Sequence, residues 1–251
     1  MGDLATRNRE HFDKHAIDHQ REFADLIQAT IEEFQSRRFW ISNKWVGALD
    51  SGTGDQQHDI RLLDYACGSG TASRALAHFV TQAVGLDLSQ NMVEQYNKHA
   101  REMGFYPDRM HARQYDLLAE PDPKQQQPLS EQELSGFDIV VVSAALHHVA
   151  DPGKLLKCLA QCLKRGGVCV VLDKIPDLTM ESLGAAIPPE HADALNTISK
   201  RGFSEEEMRK LYEDAGLGRN FDHVVIDRSF EFTVAGRKIQ FNGFITRGEL
   251  T

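Results

Sequence analysis

The sequence has no long hydrophobic run and no segment that resembles a sorting signal. No apolar stretch approaches the roughly 18 residues that a membrane-spanning helix needs, so we expect no membrane partner. The first 15 residues are too polar for a secretory signal, and Gly2 is not accompanied by a second membrane-anchoring signal. These absences favour a cytoplasmic protein.

The sequence is also short of positive charge and of clustered cysteines. Its formal net charge of −9 disfavours a nucleic-acid partner, because phosphate binding requires a basic face. Its four cysteines, Cys67, Cys158, Cys162 and Cys169, lack the spacing of a zinc finger or of a redox motif. We expect them to be small core residues of a reduced protein.

The chain divides into a helical segment and a larger region of alternating pattern. Residues 1–50 place apolar side chains at helical spacing, and a polar stretch, "DSGTGDQQHD", then separates them from residues 51–251. From Ile60 onwards, short apolar strands alternate with amphipathic helices. Residues 175–202 interrupt this alternation and are interpreted as a lid insertion.

The alternation predicts a Rossmann-like, doubly wound α/β fold with helices on both faces of the sheet. Five strands are expected first, and two more strand-like runs close the chain as an antiparallel hairpin. The seven predicted strands carry the sequences "IRLLDYA", "QAVGLDL", "RMHARQY", "FDIVVVS", "VCVVLDK", "DHVVIDRSFEFTV" and "RKIQFNGFITRG". The sheet should therefore have seven strands and be mostly parallel.

A Gly-Ser-Gly turn connects the first strand to the first helix of this region. Gly68 and Gly70 allow positive φ angles and a close approach of the backbone to a ligand, and Asp87 ends the next strand. Such an arrangement suits either a nicotinamide dinucleotide or S-adenosylmethionine. Ser73 stands where the dinucleotide motif has its third glycine, which makes pyrophosphate binding the less favoured of the two.

Five segments, in order, resemble the motifs of class I S-adenosylmethionine-dependent methyltransferases. They are "LLDYACGSGTASRALA", "AVGLDLSQNMVEQY", "ARQYDLL", "FDIVVVSAALHHVADP" and "LKRGGVCVVLDK". The resemblance is strongest to the small-molecule branch that includes quinone-biosynthesis and secondary-metabolite enzymes. It implies S-adenosylmethionine as cofactor and methyl transfer to an oxygen, nitrogen or carbon atom of a small organic acceptor.

The resemblance also implies a role for individual positions. The first motif would hold the methionyl part of the cofactor, the second its ribose and adenine, the third the adenine amino group, and the fourth the methionine moiety again. The corresponding residues are Asp64, Ala66, Gly68 and Gly70, then Asp87 and Leu88, then Asp116 and Leu117, then Ser143. Ala66 departs from the usual glycine, which is a mild change if this residue keeps a negative φ.

Two adjacent histidines, His147 and His148, follow the fourth predicted strand. Ligands of open α/β sheets bind beyond the carboxyl ends of the strands, and histidine titrates near neutral pH. Either histidine is therefore a candidate general base. The resemblance favours His148, because similar methyltransferases often have a histidine followed by an apolar residue at this position, and His147 is the second candidate; the alternative is that they only shape the pocket. A metal site with Asp151 is disfavoured, because adjacent side chains diverge and Asp151 is predicted to cap the next helix.

The remaining candidates concern the methyl acceptor. The N-terminal segment resembles the cap that closes over the active site in related enzymes, and Phe12, His15 and His19 share one helical stripe there. His191, in the predicted lid, is a further acceptor-binding candidate. Two alternatives stay open: a protein side-chain methyltransferase, and a protein that binds the cofactor without methylating. A monomer or a homodimer is expected.

Overall fold

The computed structural model describes residues 3–46, 59–119, 129–176, 194–234 and 237–251. Its N-terminal part is helical, as predicted, and consists of α1 (Leu4–Glu22), α2 (Ala24–Ser36) and α3 (Arg38–Ile41). The Asp3 carboxylate begins α1 by accepting a hydrogen bond from the Thr6 backbone N–H at 2.8 Å. Most of the predicted lid, including His191, lies outside the described residues.

All seven predicted strands are present in one sheet, and the predicted Rossmann-like fold is confirmed. The order across the sheet is β3, β2, β1, β4, β5, β7, β6. The strands are β1 (Arg61–Tyr65), β2 (Gln82–Asp87), β3 (Met110–Gln114), β4 (Phe137–Ser143), β5 (Leu163–Lys174), β6 (Arg219–Val234) and β7 (Arg237–Glu249).

Strands β1 to β5 run parallel, and the last strand reverses the direction. β7 inserts between β5 and β6 and pairs antiparallel with both. The strand order reverses at β1: β2 and β3 lie on one side of this strand, and β4 and β5 lie on the other. The loops after β1 and β4 therefore leave the sheet on opposite sides of one crevice, which is where open α/β sheets bind ligands.

The connecting helices begin at the residues that the sequence indicated. The Asp151 carboxylate accepts from the Lys154 backbone N–H at 2.8 Å, and Pro152 opens the helix behind it. Ser204 and Glu207 form the predicted capping box. These helices are α4 (Thr71–Leu76), α5 (Gln90–Glu102), α6 (Pro152–Cys162) and α7 (Glu205–Asp214).

The sheet is covered on both faces. One core joins α2 and α4 to the sheet and is centred on Phe34, Leu76 and Val141, all fully buried. The other joins α6 and α7 to the opposite face through Leu156 and Met208. In the part of the chain that the structure describes, no helix combines the length and the apolarity needed to cross a membrane.

Candidate active site

The glycine turn after β1 has the open backbone that the sequence predicted. Gly68 has φ +51° and Gly70 has φ +91°, both in the left-handed region that favours glycine. The space in front of Gly68 is free, whereas a Cβ on Gly70 would lie 2.8 Å from the Tyr96 ring. Gly68 therefore leaves room for a ligand, and Gly70 lets α5 pack closely behind the loop.

Ala66 corrects one expectation from the sequence, since its φ is +52° rather than negative. The chain turns away from β1 at this residue, and that turn needs the left-handed conformation. For a residue with a Cβ, this conformation costs about 1–2 kcal/mol. The loop accepts the cost because its neighbours on both sides are anchored: Tyr65 belongs to β1, and the Cys67 backbone N–H donates to Leu86 O at 3.1 Å.

Asp64 holds α4, the helix that follows the glycine turn, rather than facing open space. Its Oδ2 accepts from the Ser73 backbone N–H at 3.0 Å and from the Ser73 hydroxyl at 2.8 Å, and the side chain is buried. Burial raises the pKa of Asp64 to about 7, against the lowering effect of the Ser73 hydrogen bonds. The contacts that the structure describes thus make Asp64 the support of the glycine turn.

Asp87 joins the ends of the first two strands. Its Oδ2 accepts from the Gly68 backbone N–H at 2.7 Å, and its Oδ1 accepts from the Ser89 backbone N–H at 2.9 Å. Burial raises the pKa of Asp87 to about 6, and these backbone hydrogen bonds oppose that rise. Each oxygen keeps a second lone pair, so the carboxylate can still accept from the two hydroxyls of a ribose.

The end of β3 lies next to Asp87, as a purine pocket would require. The Tyr115 backbone N–H donates to the Asp87 carbonyl at 2.9 Å. Asp116 follows, and its Oδ1 accepts from the Leu118 backbone N–H at 2.8 Å. Leu88 and Leu117 are partly exposed in these two neighbouring loops. The structure therefore brings together the residues predicted for ribose and adenine.

One buried polar atom supports the fit of a nucleoside cofactor with a polar tail. The Ser69 hydroxyl, within the glycine turn, is buried and has no hydrogen-bond partner among the described residues. Buried polar groups are rarely left unsatisfied, and those that are often face a ligand site. Together with the free space at Gly68 and the acceptor sites of Asp87, this hydroxyl fits the polar groups of S-adenosylmethionine.

His147 has a carboxylate partner that the sequence analysis missed. Its Nδ1 lies 2.8 Å from Oδ1 of Asp173, and its backbone N–H donates to Oδ2 of the same residue at 3.1 Å. Burial tends to raise the pKa of Asp173, but the charge and the hydrogen bond of His147 outweigh it and lower the pKa. Asp173 is therefore an ionised, buried carboxylate that fixes the orientation of the imidazole.

His148 is held in a different way. Its Nδ1 lies 2.9 Å from the Thr197 carbonyl, which can only accept, so Nδ1 carries the proton and Nε2 a lone pair. Burial and the neighbouring His147 lower the pKa of His148 well below 6.5. The two rings lie 4.1 Å apart between centroids. At neutral pH, His148 is therefore an uncharged ring beside the oriented His147.

Helix α1 carries Phe12, His15 and His19, the stripe of residues predicted to contact the methyl acceptor. The Phe12 ring meets the His148 ring edge-on at 5.4 Å between centroids. His15 lies further along, and its buried Nε2 has no hydrogen-bond partner within the described residues. His19 stacks on Phe23 at 4.8 Å, and burial lowers its pKa to about 4. The stripe therefore faces the interior, with Phe12 nearest to the paired histidines.

Helix α1 is fastened to the loop that follows β2. The Ser89 hydroxyl donates to Asp13 Oδ1 at 2.6 Å, and the Asn91 backbone N–H donates to the same oxygen at 3.1 Å. At the other end of the site, the Asn8 amide donates to the His148 carbonyl at 3.0 Å. Helix α1 thus spans the crevice from the Asp87 side to the histidine side.

Four residues of the site were not predicted, and of these Asp173 could have been found from its position in the sequence. It lies next to the carboxyl end of β5, as Asp87 lies at that of β2, and both ends share one edge of the sheet. Asn8, Asp13 and Thr197 had no such signal, because their contacts depend on how distant segments pack. Among the described residues, no group of three histidine, cysteine or acidic side chains is arranged to hold a metal ion.

Comparison with known sequences identifies the family. Residues 15–220 match the model of a family described as "Methyltransferase domain". An uncharacterised methyltransferase of Schizosaccharomyces pombe is 32% identical over 159 residues, which cover 63% of this chain and 53% of that protein. The chain thus spans about half the length of this relative. A ubiquinone biosynthesis O-methyltransferase of Ruegeria pomeroyi is 29% identical over 183 residues, covering 71% and 68% of the two chains.

Solved structures share the fold at low sequence identity. A SAM-dependent methyltransferase of Anabaena variabilis superposes with a TM-score of 0.65 at 16% identity, covering 100% of this chain and 96% of that one. The magnesium protoporphyrin IX methyltransferase of Synechocystis, solved with bound SAH, has a TM-score of 0.62 at 16% identity, with 98% and 99% covered. The strand order, the glycine turn and the family match agree, and this chain belongs to the methyltransferase-domain family.

Proposed function

We propose that this protein is an S-adenosylmethionine-dependent methyltransferase that methylates a hydroxyl oxygen of a small organic molecule. The observation that carries the proposal is the position of His147, held by Asp173 next to His148, at the sheet edge where Asp87 and the glycine turn meet. Transfer to a hydroxyl must remove a proton, and an oriented histidine–carboxylate pair suits that task.

The cofactor would be held by the loops after β1, β2 and β3. Gly68 and the Ser69 hydroxyl would face the amino-acid part, and Asp87 would accept from the ribose hydroxyls. Leu88, Asp116 and Leu117 would surround the adenine, and Ser143 would lie near the methionyl group. When bound, S-adenosylmethionine supplies an electrophilic methyl group on a positively charged sulfur atom.

The residues of this chain would contribute orientation and proton transfer. As the acceptor oxygen forms its bond to the methyl carbon and the carbon–sulfur bond breaks, the hydroxyl proton would move to Nε2 of His147. Asp173 would stabilise the imidazolium that results. The sequence favours His148 for this role, and the hydrogen bonds favour His147, with His148 and Phe12 as the uncharged wall against which the acceptor rests. Orientation of this kind can contribute about 7–11 kcal/mol.

The acceptor would be enclosed by residues 1–50 and by residues 175–202, which the sequence marks as cap and lid. Phe12, His15 and His19 would form one side of the acceptor pocket, and His191 another. A pocket lined by flat rings suits a flat organic molecule better than a protein chain. The ubiquinone biosynthesis O-methyltransferases among the relatives support transfer of the methyl group to an oxygen atom.

Two measurements test the proposal in order. The first is calorimetry with S-adenosylmethionine on the wild type and on Asp87→Ala; a wild type that binds nothing contradicts the cofactor assignment. The second follows labelled methyl transfer into a panel of phenols, into a metabolite extract and into a protein extract. Label in a phenol or a metabolite hydroxyl is the expected result. Label only in protein favours a protein methyltransferase, and binding without transfer favours a non-methylating role.

A further inference from the structure

A cavity lies at the opposite edge of the sheet from the candidate active site. It has a volume of about 550 Å³ and is bounded by the segment after α3 and by the amino-terminal ends of β4, β5 and β6, together with the end of β7. We call it the amino-edge cavity. β4, whose seven residues rise by about 3.3 Å each, separates it from the histidines by roughly 20 Å. It is therefore a separate site.

The amino-edge cavity is basic in a protein that is acidic as a whole. Five basic and two acidic side chains line it, whereas the whole chain has a formal net charge of −9. These side chains are Lys44, Lys164, Arg165, Arg219, Arg247, Asp138 and Glu249. A concave surface of one sign concentrates the field within it, so this cavity attracts anions although the protein as a whole repels them.

The internal ion pairs leave most of this positive charge unbalanced. Lys164 pairs with Asp138 at 2.9 Å. Arg219, at 3.2 Å, and Arg247 share one carboxylate, that of Glu249. The buried Nε–H of Arg247 has no acceptor among the described residues. The cavity therefore holds a charge of about +3 and an unused buried donor.

Two of the basic side chains have no internal role. Lys44 and Arg165 are exposed, and neither side chain forms a hydrogen bond or an ion pair in the described part of the chain. Arg165 sits in the turn "KRGG", where the following Gly166 takes φ +71°. Long basic side chains beside an already basic cavity repel one another unless an anion lies between them. Their placement is what a bound anion would require.

We propose that the amino-edge cavity binds a small anion that carries two or more phosphate groups. The charge of about +3 matches that of a diphosphate or triphosphate, and the arginines supply planar donors suited to phosphate oxygens. Phe39, 59% exposed, lies at the rim; the Arg38 guanidinium lies over its ring at 4.3 Å, and the exposed remainder of the ring offers a surface for an attached ring. The volume is within the range of small-molecule sites, about 300–1,000 Å³.

The test is calorimetry of the full chain with pyrophosphate, with ATP and with adenosine. Pyrophosphate should bind at one site per chain, and its affinity should fall by about tenfold in the double variant Lys44→Ser/Arg165→Ser. Among the described residues, neither side chain forms a hydrogen bond or an ion pair, so the fold should be retained, and a thermal melt checks this. The matched control is Lys157→Ser, which removes an exposed charge of α6 outside the cavity.

The outcomes separate this site from the proposed cofactor site. The ATP titration is repeated on Asp87→Ala, which removes the carboxylate proposed to bind the ribose but leaves the amino-edge cavity unchanged. ATP binding that is retained in this variant supports the proposal. Absence of pyrophosphate binding, or equal affinity in the double variant and the wild type, overturns it. An equal loss in Lys157→Ser also overturns it, because the effect would then come from net charge alone.

Discussion

Nδ1 of His147 lies 2.8 Å from Oδ1 of Asp173, and the same carboxylate accepts the backbone N–H of His147. These two contacts fix both the tautomer and the ring orientation of the histidine. The proton sits on Nδ1, so the lone pair is on Nε2, as a general base requires. The pair lies at the carboxyl ends of β4 and β5, beside the glycine turn of β1.

We expect Asp173→Asn to lower the turnover of a hydroxyl acceptor by about 10²-fold or more, because the imidazole loses the carboxylate that orients and stabilises it. The affinity for S-adenosylmethionine should stay within about twofold of the wild type. Single-turnover methyl transfer and calorimetry measure the two effects. Asp227→Asn, an exposed change on β6, is the matched control. Unchanged turnover in Asp173→Asn would remove the proton-transfer role.

His148→Ala should retain cofactor binding and lose activity mainly through a higher KM, whereas His147→Ala should lose it through a lower kcat. The ring of His148 contacts Phe12, so its loss should weaken acceptor binding and raise KM. Loss of His147 should lower kcat with less effect on KM. If kcat falls more in His148→Ala than in His147→Ala, His148 is the base, as the sequence favours.

The affinity for S-adenosylmethionine should depend on pH through Asp87. Its pKa in the free protein is raised to about 6, above the ordinary 3.8. The ribose hydroxyls and the cationic sulfur favour the ionised carboxylate, so binding should be strongest above pH 6. Affinity should fall by up to about tenfold per pH unit below that value. Calorimetry across pH 5–8 checks this, and Asp87→Asn should bind weakly with a flat profile over the same range.

Ala66→Gly should stabilise the protein, because the structure places this residue at φ +52°. Relief of about 1–2 kcal/mol of left-handed strain exceeds the entropy cost of glycine, about 0.5–1 kcal/mol. The net gain should be about 0.5–1 kcal/mol, visible as a rise of a few degrees in the melting temperature. Ala29→Gly, inside α2, should instead destabilise by about 1 kcal/mol. A lower melting temperature for Ala66→Gly would be inconsistent with the loop geometry.

Asp13→Ala should loosen helix α1 from the rest of the site. The Asp13 carboxylate accepts from the Ser89 hydroxyl and the Asn91 backbone N–H, and Ser89 also donates to Asp87. Faster amide exchange in α1 and a severalfold weaker affinity for S-adenosylmethionine are expected. Asp18→Ala, which removes an exposed pair with Arg21 on the same helix, is the control. Equal amide exchange rates in the two variants would contradict the role of Asp13 in fastening α1.

The sequence by itself determined the sheet, the glycine turn and the identity of the acid that ends β2. These depend on local rules: an apolar strand has period two, a helix has period 3.6, and a tight turn needs glycine. The helix caps at Asp151 and Ser204 could be predicted for the same reason, since a capping side chain lies within three residues of the backbone N–H group that it accepts from. Even the order of the motifs was sufficient to indicate the family.

Only the tertiary structure decided which groups face one another. Asp173 lies 26 residues from His147 along the chain, Thr197 lies 49 residues from His148, and Asp13 lies 76 residues from Ser89. No periodicity links residues at such separations, because strand order and helix docking bring them together. The left-handed turn at Ala66 and the grouping of charges from five segments in the amino-edge cavity arise in the same way, from the path that the packed chain has to follow.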